Sequence, residues 1–362
     1  MDRDAVELAR FGYAQELLRR LGGFSSFAIG FSVISVLTGV TSTFGDAVAS
    51  GGPAGLAGLL LAHRSHGAAY LAETGHTTRA DGSYALGFVQ SLVLGVWTFT
   101  GFDAAAHVSE ETHDPQRRAP FGIVSSVAVS AVAGFALVAA LTLAIPDLSA
   151  IAGTSDAALR VFAGALGERV GRFALGLAVL AMWFAGLSSV TSASRMLFAF
   201  ARDDGLPLAG ALRRVSPITR TPLTAIAACV LAALALVAAT APFSDAAFLA
   251  VAALATVALY ASYAVPIALG AVGRLNGRWT RLGPFSLGRA GPAIAIASVV
   301  WTAAVFVICA LANALAMGLF AGMGVVLAAL WLLTARARFK GPNVDLSHFE
   351  EAALHPPGGE AA

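Results

Sequence analysis

The chain has 362 residues and a formal net charge of +2, with 57 % hydrophobic and 12 % charged residues and a mean hydropathy of +0.77. Soluble domains carry about 45–50 % apolar and about 25 % charged residues, so a soluble globular domain is excluded and a polytopic, all-α membrane protein is predicted. Of the 23 basic residues only Lys340 is lysine, and nothing in their distribution suggests a nucleic-acid partner.

Residues 1–20 are a charged lead whose "FGYAQELLRRL" reads as a short amphipathic helix on the membrane surface. The first charge-free run, 21–45, follows Arg19 and Arg20 and precedes an "AVA" at 47–49, the pattern of a cleaved signal. Its 25 residues exceed the usual apolar core of a signal peptide, about 7–15 residues, so a retained membrane helix is expected. Ser35, Thr38, Gly39, Thr41, Ser42 and Thr43 crowd its second half. Such hydroxyls bond either their own helix or a ligand.

A segment over 46–83 follows, in which His63, His66 and His76 read as parts of a solvated loop rather than as metal ligands. Further charge-free runs cover 84–102, 119–146, 173–194, 221–244, 246–273 and 290–335. A crossing needs roughly 20 helical residues. The 46-residue final run therefore holds two crossings with Asn313 as the turn, for about eight helices in all. Cys229 and Cys309 stand alone in separate runs and read as small core residues.

Helix-end arginines set the orientation. With the N-terminus in the cytoplasm, 18 of the 23 basic residues fall in inner segments, leaving Arg64, Arg79, Arg160, Arg169 and Arg172 outside. Both termini are expected in the cytoplasm, in the cytoplasmic membrane.

The stretch "WTFTGFDAAAHVSEETHDPQRRAP", 97–120, interrupts an apolar run with Gly101 and places Asp103 beside it. Unwound backbone at membrane depth survives only where it is buried by protein or lines a cavity, and a carboxylate there marks a candidate functional site. If the helix resumes at Phe102, then Asp103, His107 and Glu110 or Glu111 share one face. Alternatively the helix stops at Gly101 and Asp103 is an N-cap at the interface. Two broken helices suit a carrier: half-helix N-termini meet a carboxylate and freed carbonyls meet a cation or ammonium. An enzyme is not expected, since His107 and Ser109 face different ways beside Asp103 and no G-x-S-x-G or H-E-x-x-H motif is present.

"GYAQELLRRLGGFSSFAIGFSVISVLTGV", "WTFTGFDAAAHVSEETHDPQRRAPFGIV", "SSVTSASRMLFAFARDDGLP" and "RARFKGPNVD" together resemble the amino acid/choline transporter branch, which includes 4-aminobutyrate permeases, of the amino acid, polyamine and organocation superfamily. The resemblance covers roughly 10–50 and 84–345. It implies an inverted-repeat fold of five plus five helices with two extra, and a substrate held between the broken first and sixth helices. Ser35, Thr38, Gly39 and Val40 match the part of the first helix that holds the substrate carboxylate. Thr100, Gly101, Phe102 and Asp103 match the break that receives the amine, and Glu110 and Glu111 match a cytoplasmic gate. Ser188, Ser189, Thr191 and Ser192 match hydroxyls suited to a sodium ion, with a proton as the other candidate coupling ion. No cofactor or metal is implied.

One departure is large. After "GGPAG" at 51–55 only "LAGLLLA" precedes the loop, so family helices two to five are missing and the first repeat is incomplete. The expected organisation is a cytoplasmic segment 1–20, a broken first helix 21–45, an extracytoplasmic remnant 46–83, seven helices over 84–335 and a cytoplasmic tail 336–362. The resemblance implies a secondary transporter moving amino acids or related amines such as 4-aminobutyrate by alternating access. The alternative is an internally deleted, transport-incompetent remnant that still inserts. Expected partners are the small-molecule substrate, the bilayer and a second copy forming a homodimer.

Overall fold

The structure, a computed structural model, describes residues 3–10, 12–34, 65–74, 82–152, 154, 156–279, 282–312 and 314–341. It is all-helical, and among the described residues the one extended pairing is an isolated bridge between Leu21 and Thr112. The helices are α1 (Arg3–Arg10), α2 (Gly23–Ile34), α3 (Tyr84–Thr98), α4 (Ala104–His107), α5 (Pro115–Leu143), α6 (Leu148–Ile151), α7 (Ala157–Leu166), α8 (Glu168–Arg202), α9 (Ala209–Leu212), α10 (Leu223–Thr240), α11 (Ser244–Leu275), α12 (Gly291–Ala312) and α13 (Ala314–Leu330).

Six of these helices are long and apolar enough to cross a membrane, and the apolar α2 and α3 are shorter. Together they match the roughly eight predicted crossings. The helix predicted over 173–194 is longer, because Arg169, Arg172, Arg195 and Arg202 extend it at both ends. Charged helix ends sit at the interface without ending the helix, so a charge-free run underestimates length. α12 and α13 flank residue 313, the predicted turn, which lies outside the described residues.

α2 packs against α5 through small residues. Ser26 and Gly30 on α2 meet Gly122 and Ser126 on α5, which belong to a buried stripe of Gly122, Ser126, Ser130 and Gly134 repeating every four residues. A Cβ at Gly122 would approach Ser26 Oγ to 2.9 Å, and one at Gly30 would approach Ser126 Oγ to 3.1 Å. Bilayers supply no hydrophobic drive between helices, so close backbone approach of this kind carries the packing. The hydroxyls of Ser26 and Ser130 are buried with no hydrogen-bond partner among the described residues.

Two apolar clusters meet at the helix break. One joins Ile34 of α2, Leu137 and Leu141 of α5 and Val161 of α7; the other joins Val96 of α3, Val257, Tyr260 and Tyr263 of α11 and Val305 of α12. Phe102 packs against both. Phe173, Trp183 and Phe184 on α8 and Leu231, Leu234 and Val237 on α10 face outward, as lipid-contacting side chains of a membrane bundle do. The Ala68–Ala72 turn sits at the C-terminal end of α5, where the Ser65 and His66 amides donate to Leu143 O at 2.8 and 3.1 Å.

Candidate functional site

The break is longer than the sequence pattern predicts. α3 ends at Thr98, the chain turns through Phe99, Thr100, Gly101, Phe102 and Asp103, and helix resumes at Ala104 rather than Phe102. Gly101 adopts φ +82°, and a Cβ there would overlap Val33 Cγ1 of α2. Glycine meets both demands at once: left-handed backbone and direct contact with the neighbouring helix.

The break is held by hydrogen bonds that replace the helical ones. Thr100 Oγ1 donates to Trp97 O at 2.7 Å. Tyr263, from α11, accepts from the Gly101 amide at 2.9 Å and donates to Asp103 Oδ1 at 2.8 Å. No sequence signal separated Tyr263 from the other apolar-run aromatics, because its role depends on α11 passing beside the break. Phe102 stacks on it, with ring centroids 4.7 Å apart. The carbonyls of Thr98, Phe99, Thr100 and Phe102 accept no hydrogen bond among the described residues, and the buried Thr98 hydroxyl has no partner there.

Asp103 occupies the N-cap position of α4 without capping it. Its Oδ1 is taken by Tyr263, and its Oδ2 lies 3.3 Å from His107 Nε2. His107 Nδ1 in turn lies 2.5 Å from Ser192 Oγ of α8. The hydroxyl beside the imidazole therefore comes from another helix, not from Ser109.

The expected single face does not continue as α-helix beyond His107. A 3₁₀ turn, Ser109–Glu111, follows, and both glutamates reach α8. Glu111 receives Arg195 Nε at 2.7 Å, and Glu110 receives Arg202 Nη1 at 3.2 Å on each oxygen. Burial pushes the Glu110 carboxyl up, opposed by Arg202. The N-terminal segment closes over this end. Arg20 and Leu21 amides donate to Glu111 O, the His113 amide donates to Leu21 O, and the Tyr13 ring lies 4.1 Å beneath the Arg202 guanidinium. A 520 Å³ cavity remains there, lined in part by Tyr13, Arg19, His107, Glu110, Arg195 and Arg202.

Of the remaining predicted residues, Ser35, Thr38, Gly39 and Val40 lie outside the described residues. Thr191 Oγ1 donates to Leu187 O at 2.9 Å, Ser192 is engaged by His107, Ser188 is half-buried and Ser189 is exposed. A second, mostly apolar groove of 880 Å³ lies between α3, α5, α11 and α12, lined by residues including Val96, Phe99, Phe102, Tyr260, Tyr263 and Trp301.

A multi-pass helical membrane protein with one helix broken and pinned by its neighbours is the class these features define. A family model for amino acid permeases matches residues 54–335, and the chain belongs to the amino acid permease family. It is 34 % identical over 285 residues to the amino-acid permease BAT1 homolog of Oryza sativa subsp. japonica, an alignment covering 72 % of this chain and 53 % of that protein. Amino-acid permease BAT1 of Arabidopsis thaliana is 32 % identical over 283 residues with the same coverage. The GABA-specific permease of Saccharomyces cerevisiae is 34 % identical over 139 residues, 37 % of this chain and 24 % of that protein. The chain spans about half the length of the first two relatives. Its relatives are permeases and transporters, not enzymes.

Proposed function

We propose that the protein is a secondary carrier of small amino acids or related amines, 4-aminobutyrate among them, working by alternating access in the cytoplasmic membrane with both termini inside. The observation that supports this reading is the set of four carbonyls at the break between α3 and α4, beside α2, that accept no hydrogen bond among the described residues. A substrate ammonium replaces the lost helical donors, and the amides near Gly39 meet the carboxylate. Asp103 contributes charge rather than a vacant oxygen, because Tyr263 and His107 already occupy both of its oxygens. Glu110 and Glu111, clamped to α8, form the inner gate.

On the sequence resemblance, family helices two to five have no counterpart between 34 and 84, and on this reading a wall of the pathway comes from elsewhere. A second copy of the chain supplies it, covering the groove beside Phe99 and Trp301. Without that partner the chain is a transport-incompetent remnant, the second reading. Equilibrium binding of a labelled amino acid panel to the purified chain, with its mass determined in detergent, tests the proposal. Saturable binding lost in Gly101→Leu supports it, and unchanged binding in that variant refutes the placement.

A further inference from the structure

Four side chains form an unbroken polar line from the break to the cavity at the inner end. Tyr263 Oη meets Asp103 Oδ1 at 2.8 Å, Asp103 Oδ2 meets His107 Nε2 at 3.3 Å, and His107 Nδ1 meets Ser192 Oγ at 2.5 Å. They come from α11, the break, α4 and α8. His107 lines the 520 Å³ cavity, and Asp103 stands behind it at the break. The imidazole thus lies at the cavity wall, with Asp103 one hydrogen bond further along the line.

The partners suit a group that changes protonation. A serine hydroxyl donates to a bare imidazole nitrogen and accepts from a protonated one, so His107 keeps both contacts whether neutral or charged. With neutral His107 donating from Nε2 to Asp103, the pair carries one negative charge. An added proton bonds to Nδ1 and Ser192 becomes its acceptor. Moving the Nε2 proton along the hydrogen bond to Asp103 Oδ2 gives an equivalent neutral pair, so the proton belongs to both residues. Uptake therefore breaks no hydrogen bond and cancels a net charge at membrane depth, where net charge is costly.

The surrounding elements leave that charge to the pair. α2 carries no titratable side chain, and α3 carries only Tyr84, at its far end. α5 contributes Arg117 and Arg118 at its start. Tyr263 comes from α11, while Arg195 and Arg202 of α8 are matched by Glu111 and Glu110. The hydroxyls expected to hold sodium are dispersed, Ser192 to His107 and Thr191 to its own helix.

We infer that Asp103 and His107 together form a site for one proton, taken up from the inner cavity, and that this proton is the ion coupled to transport. The coupling rests on the carrier reading above; the proton site does not. The test is substrate-free infrared difference spectroscopy of the full chain in lipid vesicles after a pH jump. Wild type is expected to show a protonated-carboxyl band that is lost in Asp103→Asn. In His107→Gln the carboxyl no longer shares the proton with an imidazole, so the band is expected to change in position and intensity. Identical wild-type and Asp103→Asn spectra overturn the proposal, as does a band unchanged in His107→Gln. Should Asp103→Asn fail to fold, His107→Gln decides alone. A wild type that lacks the band but binds amino acids removes only the proton site, and a wild type that shows the band but does not bind removes only the amine reading.

Discussion

Tyr263 and Asp103 lie 160 residues apart in the chain, yet one phenolic hydroxyl joins them at 2.8 Å while accepting the Gly101 amide at 2.9 Å. A single side chain from α11 therefore holds both the backbone and the carboxylate of the break. Tyr263→Phe leaves a buried amide and a carboxylate oxygen without that partner. The expected cost is about 2–3 kcal/mol, read as a lower melting temperature in detergent together with weaker amino acid binding. A melting temperature unchanged from wild type would remove Tyr263 from this role.

Gly101→Ala places a side chain on left-handed backbone and into Val33 of α2. The backbone term alone is about 1–2 kcal/mol. We expect normal membrane insertion, measured by carbonate extraction, with binding strongly reduced. Gly210→Ala, where a Cβ meets open space within a helix, serves as the control and retains wild-type binding.

The Glu110 carboxyl, raised by burial, binds its proton more readily in the folded chain than in the unfolded one. Its neutral form favours folding, and that contribution fades as pH rises through the folded-state midpoint. Glu110→Gln mimics the neutral form at every pH. The melting-temperature difference, Glu110→Gln minus wild type, should therefore shrink as pH falls from 7 toward the ordinary glutamate range, about 4–5. A difference constant across that window contradicts the assignment.

Topology is open to a direct test in a background with Cys229 and Cys309 replaced by Ala. Arg213→Cys should react with a membrane-impermeant maleimide only from the cytoplasmic face, and Asp156→Cys only from outside. Outward reactivity at Arg213 would overturn the orientation.

Uptake of labelled amino acids into vesicles holding only this chain should be weak unless the chain self-associates. Ser26 and Ser130 bury hydroxyls that have no partner among the described residues, each costing on the order of 1–3 kcal/mol where unpaired, and the groove beside Trp301 is open. Robust saturable uptake by a demonstrated monomer would show that the second copy is unnecessary.

The amino-acid sequence by itself determined the class of fold, because membrane crossing depends on local properties. An apolar run of sufficient length inserts as a helix whatever its neighbours are, so the helix count and their approximate positions could be read in chain order. Gly101 and Asp103 were legible for the same reason: a glycine and a carboxylate at membrane depth are costly wherever the rest of the chain lies. So was the resemblance to amino acid permeases, which the match over 54–335 bears out.

Only the tertiary structure decided how that break is held and what its charges meet. The end of α3 at Thr98, the resumption at Ala104 and the 3₁₀ turn at Ser109–Glu111 depend on Tyr263, Arg195 and Arg202, brought in by helices far along the chain. Periodicity placed Asp103 and His107 one turn apart, but it carried no information about Ser192 or Tyr263. Those contacts follow from the crossing of α8 and α11 with the broken helix, and helix crossings in a bilayer are set by small-residue packing and polar pairing between distant segments.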